Sequence, residues 1–347
     1  MMKKLACIVG TRPQFIKYAV LRPALAAKFT VSLLHTGQHT DPVLNDQIFE
    51  DLEIPPPDGQ LNLPDIISAD ARFHLMKDGL IELLEKHRPD AVIHFGDTDS
   101  TLAGVLASEK TAIFSVHIEA GERSHNPQMP EENNRLIADR LCQLLCCASQ
   151  TAVKQLQREG LGNKACFTGD LMKDLLLKVQ ASQLVPPGKG DYYFASIHRN
   201  YTRENESMLK KLFRELNYLD APVFFSLHPS TSKNLNIAGI READYSNIRF
   251  LSPLNYSQSI QYQKFSKAVI TDSGGMQKEA YWLMKPCITL RKETEWTETL
   301  SHRHNQLYYG EGDLRSLLFE NQAAFDTLLY GNGQAADSIT KWLETAL

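Results

Sequence analysis

Short apolar runs that stop at a glycine or a polar residue, each followed by a stretch with helical spacing, recur along the whole chain. This alternation constrains the fold more than any other feature. Lys3–Val9, Val31–His35, Ala91–Phe95, Ile113–Ile118, Tyr192–Ile197 and Val223–Leu227 read as buried strands, bounded by turn residues and too short for helices. Strands alternating with helices imply crossover connections and therefore parallel sheets in both halves. No period of 20–50 residues recurs across the 347 residues, which argues against a solenoid.

The stretch Ala268–Arg291, AVITDSGGMQKEAYWLMKPCITLR, shows the repeating unit most plainly. Ala268, Val269 and Ile270 form a strand that breaks at Thr271-Asp272-Ser273-Gly274-Gly275. Met276, Ala280, Leu283 and Met284 then follow at helical spacing, Pro286 ends the helix, and Cys287–Leu290 begins the next strand. A Ser-Gly-Gly turn at a helix start offers outward N–H groups at the positive end of the dipole, a natural phosphate seat. Two glycines let a ligand approach the backbone where a Cβ would collide. The same turn can equally reverse the chain and bind nothing.

At 347 residues the chain exceeds one ordinary core. The turn-rich segment Gln180–Gly190, with Pro186-Pro187-Gly188, reads as a linker. The expected organisation is an N-terminal domain over 1–180, a second over 190–332, and a closing helix over 333–347 that packs back on the first. A net charge of −4 gives no basic footprint for nucleic acid. No apolar run approaches the roughly 20 residues needed to span a bilayer. Met1-Met2-Lys3-Lys4 and the run after it could pass for a signal peptide, but Gly10-Thr11-Arg12-Pro13 interrupts it too early, so a first strand is expected. The six cysteines show no C-x-x-C spacing, and Cys142, Cys146 and Cys147 fall in a helical pattern that also takes in Leu144 and Leu145. Buried free thiols in a reducing cytoplasm are expected, not zinc or disulfides.

Polar residues cluster where the strands stop. Arg12 and Lys17 follow the first strand, on a loop leading into a helix over Phe15–Lys28. Asp97 follows Ala91–Phe95, and Glu119 follows Ile113–Ile118. Glu131 lies in the first turn of a helix opened by Pro130. The second half contributes His198, His228, Ser273, Gly274, Gly275 and Glu279. Plainer roles are available: solvated charges for Arg12 and Lys17, a helix cap for Asp97, a dipole partner for Glu131. If the carboxyl edges of two sheets face each other, these groups meet in one cleft, with the phosphate end on the second half and acid/base groups on the first. Carboxylates sharing such a cleft push their pKa values apart, which suits one acid and one base.

The motifs GTRP-x-x-IK, HTGQH, FGDT-x-STLAG, H-x-EAG, MPEE-x-NR, HR, HP and TDSGG-x-QKEA occur in one order between Ile8 and Glu298. In this the chain resembles the non-hydrolysing UDP-N-acetylglucosamine 2-epimerase family. GTRPQFIK and KEAYWLMKPCITLRKETEW look most like its branch acting on UDP-2,3-diacetamido-2,3-dideoxy-glucuronate. The resemblance implies an α/β, glycosyltransferase-B type fold with two Rossmann-like domains, parallel sheets facing across a cleft, and a C-terminal helix crossing back. It implies a cytoplasmic homodimer whose ligands are a UDP-sugar and UDP, with no metal, NAD, nucleic acid or membrane partner. The implied reaction inverts sugar C2 by elimination and re-addition of UDP through a 2-acetamidoglucal, in the synthesis of surface-polysaccharide precursors.

By the same resemblance, Asp97, Glu119, Glu131 and His198 match the acid/base and active-site positions. Arg12, Lys17 and Arg135 match charged positions near the diphosphate. Ser273 and Gly274 match the phosphate turn, Glu279 the acceptor of ribose hydroxyls, and His228 and Gly275 join the substrate-binding set. The chain departs from the pattern at Glu122, at Asn200-Tyr201-Thr202, and at Ser230-Thr231-Ser232, where the uronate branch commonly has arginines. That last change weakens the case for a uronate substrate. A hydrolysing relative that releases free sugar and a glycosyltransferase-B type transferase are the competing readings.

Overall fold

The computed structural model describes residues 2–38, 53–64, 68–227, 229–318 and 324–347. His39 and His228 lie outside the described residues. The chain divides into unit 1, Met1–Leu175 with Leu328–Leu347, and unit 2, Leu176–Thr327. Among the described residues no helix is long and apolar enough to cross a membrane.

Among the described residues unit 1 has seven parallel strands: β1 (Lys4–Val9), β2 (Thr30–His35), β3 (Gly59–Gln60), β4 (Ala91–Phe95), β5 (Phe114–Ile118), β6 (Leu144–Cys147) and β7 (Ala165–Phe167). Their order is β3-β2-β1-β4-β5-β6-β7, so the chain reverses its direction of winding between β1 and β4. Loops leaving the carboxyl ends of two such strands splay apart and open a crevice, the usual ligand position in an open α/β sheet. Register pairs Phe95 with Ile118 and Ile118 with Cys146, so the turns after β4 and β5 emerge side by side. The central strands are buried on both faces, which is why β4 reads AVIHF without alternation.

Two local expectations are corrected here. The first helix spans Arg12–Ala26, not Phe15–Lys28. Pro13 fits its first turn, where no intrahelical N–H is needed, and the Gln14 side chain reaches back to accept the Thr11 N–H. The helix Pro130–Leu141 stops before the cysteines: Cys142 is already extended, and Leu144, Leu145, Cys146 and Cys147 are strand β6. A fully buried run of four residues carries no period that separates strand from helix. Gln143 fixes the change of direction, its side-chain oxygen accepting the Ser115 N–H at 2.7 Å. All six cysteines are buried free thiols. Burial pushes those of Cys142 and Cys287 up to about 12.

The closing helix Ala335–Ala346 belongs to unit 1. Ala335, Ile339 and Leu343 enter the core formed by Phe15, Tyr18, Leu21 and Leu25 of the first helix and residues of β1, β4 and β5. Its start is anchored by Asp174, whose two carboxylate oxygens accept the Ala335 and Ala336 N–H groups at 3.0 and 2.9 Å.

Unit 2 repeats the plan with, among the described residues, six parallel strands: β8 (Tyr193–Ser196), β9 (Val223–Ser226), β10 (Ile248–Leu251), β11 (Val269–Thr271), β12 (Cys287–Thr289) and β13 (Asn305–Leu307). The order β10-β9-β8-β11-β12-β13 puts its reversal between β8 and β11, the strands leading into His198 and Ser273.

Candidate active site

The carboxyl edge of the unit 1 sheet gathers two carboxylate–cation pairs. The first joins Lys17, from the first helix, to Glu119, which follows β5; the two side chains are 11% and 13% exposed. The second joins Arg135, from the helix Pro130–Leu141, to Asp97, which follows β4. Gly96 stands between the pairs. A Cβ built on it would lie 3.6 Å from Lys17 Nζ and 3.7 Å from Glu119 Oε2, and Asp97 is the next residue. Two carboxylates thus sit on adjoining strand ends, each paired with a cation.

Each partner is itself held. Asn134 donates to the Asp97 carbonyl at 2.9 Å while the neighbouring Arg135 takes its carboxylate, so the N-R pair of MPEE-x-NR grips one residue twice. Arg135 also reaches Glu132 at 3.2 Å. Glu132 in turn accepts the Ser124 N–H, the Ser124 hydroxyl and the His125 N–H at 2.8, 2.8 and 3.1 Å. Burial pushes the Glu132 carboxyl up, but these hydrogen bonds and Arg135 outweigh it and hold the pKa below the usual range. Glu119 has a left-handed backbone at φ 71°, uncommon for a residue with a side chain, and its N–H donates to the Cys146 carbonyl at 3.0 Å.

The remaining unit 1 candidates are less constrained. Arg12 is exposed at the helix start, and Glu131 is half-buried in the first turn of its helix. Gln14 was not singled out by sequence reasoning, yet it ties the loops after β1 and β4 together. Its side-chain oxygen accepts the Gly10 and Thr11 N–H groups at 2.8 and 3.2 Å, and its nitrogen donates to the Phe95 carbonyl at 2.8 Å. The motif GTRP-x-x-IK contains it as a wildcard, which hid it.

In unit 2 the organising group is Asp272, fully buried in the TDSGG turn. It accepts the His198 N–H at 2.7 Å and the Arg199 N–H at 3.0 Å, so the loops after β8 and β11 are joined beside Ser273. The exposed His198 ring contacts Ser196 Oγ at 3.0 Å through Nε2. Ser273 caps the helix Gly274–Trp282 by accepting the Met276 N–H. The two glycines have different surroundings. A Cβ on Gly274 would meet Glu295 Oε1 at 2.9 Å and Trp296 Nε1 at 3.2 Å, so that glycine answers to internal packing. A Cβ on Gly275 would find only Ser273 Oγ, at 3.9 Å, so this position faces open space. Glu279 is 6% exposed, with one oxygen accepting from Gln263 at 2.8 Å. Arg291 pairs with Glu295 at 2.9 Å, and Lys278 lies 3.7 Å over the Trp296 ring, which holds the loop after β12 against the turn.

The family model described as UDP-N-acetylglucosamine 2-epimerase matches residues 24–344. The chain is 35% identical to a UDP-N-acetylglucosamine 2-epimerase homolog of Methanococcus maripaludis, with 97% of each covered. It is 34% identical to the UDP-2,3-diacetamido-2,3-dideoxy-D-glucuronate 2-epimerase of Pseudomonas aeruginosa, over 98% of this chain and 99% of that one. Its fold is similar to the crystal structure of Methanocaldococcus jannaschii UDP-GlcNAc 2-epimerase in complex with UDP-GlcNAc and UDP. That comparison gives a TM-score of 0.84 at 30% identity and covers 99% of both chains.

Proposed function

Because the chain belongs to the UDP-N-acetylglucosamine 2-epimerase family, we propose that it inverts C2 of a UDP-2-acetamido sugar by eliminating and re-adding UDP. The observation that carries this reading is the two carboxylate–cation pairs, Asp97 with Arg135 and Glu119 with Lys17, gathered at Gly96. One group removes the C2 proton as the C1–O bond breaks and UDP departs, leaving a 2-acetamidoglucal. UDP oxygen then returns to C1 while a proton is delivered to the opposite face of C2. The C2 proton is weakly acidic, so departure of a stabilised diphosphate has to assist its removal. Arg12, Lys17, Arg135 and the Ser273–Gly275 turn supply cations and N–H groups for that diphosphate, and His198, Glu131, His228 and Glu279 complete the proposed site.

The proposed substrate is of the UDP-N-acetylglucosamine or the UDP-2,3-diacetamido-glucuronate type. Thr231, in the segment where the uronate-acting branch commonly has arginines, is buried and donates to the Ile197 carbonyl at 2.8 Å, so it offers no cation to a uronate. Six buried thiols suit a reducing cytoplasm, where we place the enzyme as a homodimer; sedimentation measures the latter.

Incubation in heavy water with UDP-sugars that differ at C3 and C6 tests the reaction. Solvent deuterium at C2 together with the manno epimer is the expected result, and absence of both across the panel overturns it. Release of UDP and free sugar with no epimeric nucleotide would indicate the hydrolysing reaction instead. Glu119→Gln is expected to abolish turnover while UDP affinity falls only modestly.

A further inference from the structure

We infer that His117 and Asp139 are positioning residues for this reaction, setting the backbone from which Asp97 and Glu119 project. The inference rests on the reading of those two carboxylates as acid/base groups. His117 lies in β5, two residues before Glu119, and both its side chain and that of Asp139 are fully buried. Its Nδ1 is 2.7 Å from Asp139 Oδ1, and its Nε2 is 2.7 Å from the Gly96 carbonyl. The ring thus bridges the Asp139 carboxylate and the Gly96 carbonyl, one at each nitrogen.

The consequence for Gly96 is a grip at both ends. Its N–H donates to the Ile118 carbonyl at 3.0 Å and its carbonyl accepts from His117, which fixes the left-handed turn, φ 64°, that delivers Asp97. Asp139 does the same for the other loop. Its second oxygen accepts the Gly121 N–H at 3.1 Å, so the segment Glu119–Gly121 is held between His117 and Gly121. With φ 71° at Glu119 and 82° at Gly121, that segment has a backbone that would relax without a tether.

Arg123 donates to Asp139 Oδ2 at 2.7 Å and to both oxygens of Glu159 at 2.9 and 2.7 Å. Burial alone would push the Asp139 carboxyl up, but His117 and Arg123 hold it below the usual range. His117 and Asp139 have fully buried side chains, so they act through the loops and do not touch the sugar.

The test uses the full chain and whichever of UDP-N-acetylglucosamine and its 2,3-diacetamido-glucuronate counterpart the wild type turns over. His117→Leu and Asp139→Asn should lower kcat by about 100-fold, the scale expected when reacting groups are misplaced by an ångström. KM and UDP affinity should stay within about twofold, since loss confined to kcat marks an interaction made in the transition state. His117→Gln retains a donor for the Gly96 carbonyl and should recover part of the loss. Gly96→Ala leaves the buried network intact but disfavours the left-handed turn, and decides the matter if the buried variants do not fold; it should lower kcat in the same way. A folded variant with wild-type kcat, or a loss carried by KM, overturns the inference. Glu119→Gln is the control: if it keeps its turnover, the acid/base reading fails. If it loses turnover while His117→Leu and Gly96→Ala keep theirs, only the positioning role fails.

Discussion

Acidifying the protein from pH 7 to pH 5 should destabilise unit 1, and His94 sets the size of the effect. This residue of β4 is fully buried. Burial, and then the charge of neighbouring His117, pushes its pKa from 6.5 down to about 3. Between those values the unfolded chain binds a proton that the folded chain refuses, so stability falls as pH drops through 6.5 toward 3. At pH 5 the group has lost about 2 kcal/mol relative to pH 7, a substantial share of the usual 5–15 kcal/mol. Asp139, Glu132 and Glu159, all held below their ordinary values, begin to contribute only at lower pH. The control is His94→Leu, which removes the titration. It orphans nothing, because the Ser108 hydroxyl also donates to the Gly104 carbonyl at 2.9 Å. Hydrogen exchange of the β4 and β5 amides at both pH values, corrected for intrinsic rates, reports the opening free energy of unit 1. Opening should become about 25-fold more populated at pH 5 in the wild type and much less so in the variant. Equal losses in the two proteins would refute the argument.

Gly10→Ala should be strongly destabilising, because its Cβ would lie 2.0 Å from Ser100 Oγ and 2.1 Å from Thr36 Oγ1. A loss of about 1–3 kcal/mol is expected in thermal unfolding. Asp272→Ala leaves the His198 and Arg199 amides without their acceptor at a cost of about 1–3 kcal/mol each, and UDP titration calorimetry should show weaker binding. Ile339→Ala, in the fully buried face of the closing helix, should cost unit 1 about 2–5 kcal/mol in urea unfolding.

The strands and the polar groups at their ends were legible because each strand stops where its apolar run does, and the motifs mark those stops. Asp97, Glu119 and Ser273 could therefore be named in advance. What stayed hidden has physical reasons. Strand β6 reads Leu-Leu-Cys-Cys, four buried residues that continue the spacing of the preceding helix. His117 and Asp139 are 22 positions apart, on a strand and a helix, and nothing in either neighbourhood marks one as the other's partner. Asp272 lies inside a motif read for its hydroxyl and glycines, although its carboxylate joins the two loops. The spacing of Arg291 and Glu295 suggests a helical pair, but they meet across a loop.

Because unit 1 takes its last 20 residues from beyond unit 2, the ribosome completes the two in reverse of their starting order. A nascent chain holding all of unit 2 still lacks Ile339 and Leu343, so the sheet begun at β1 waits with part of its apolar face uncovered. Translation stopped after unit 2 would release a chain with that unit whole and unit 1 unfinished.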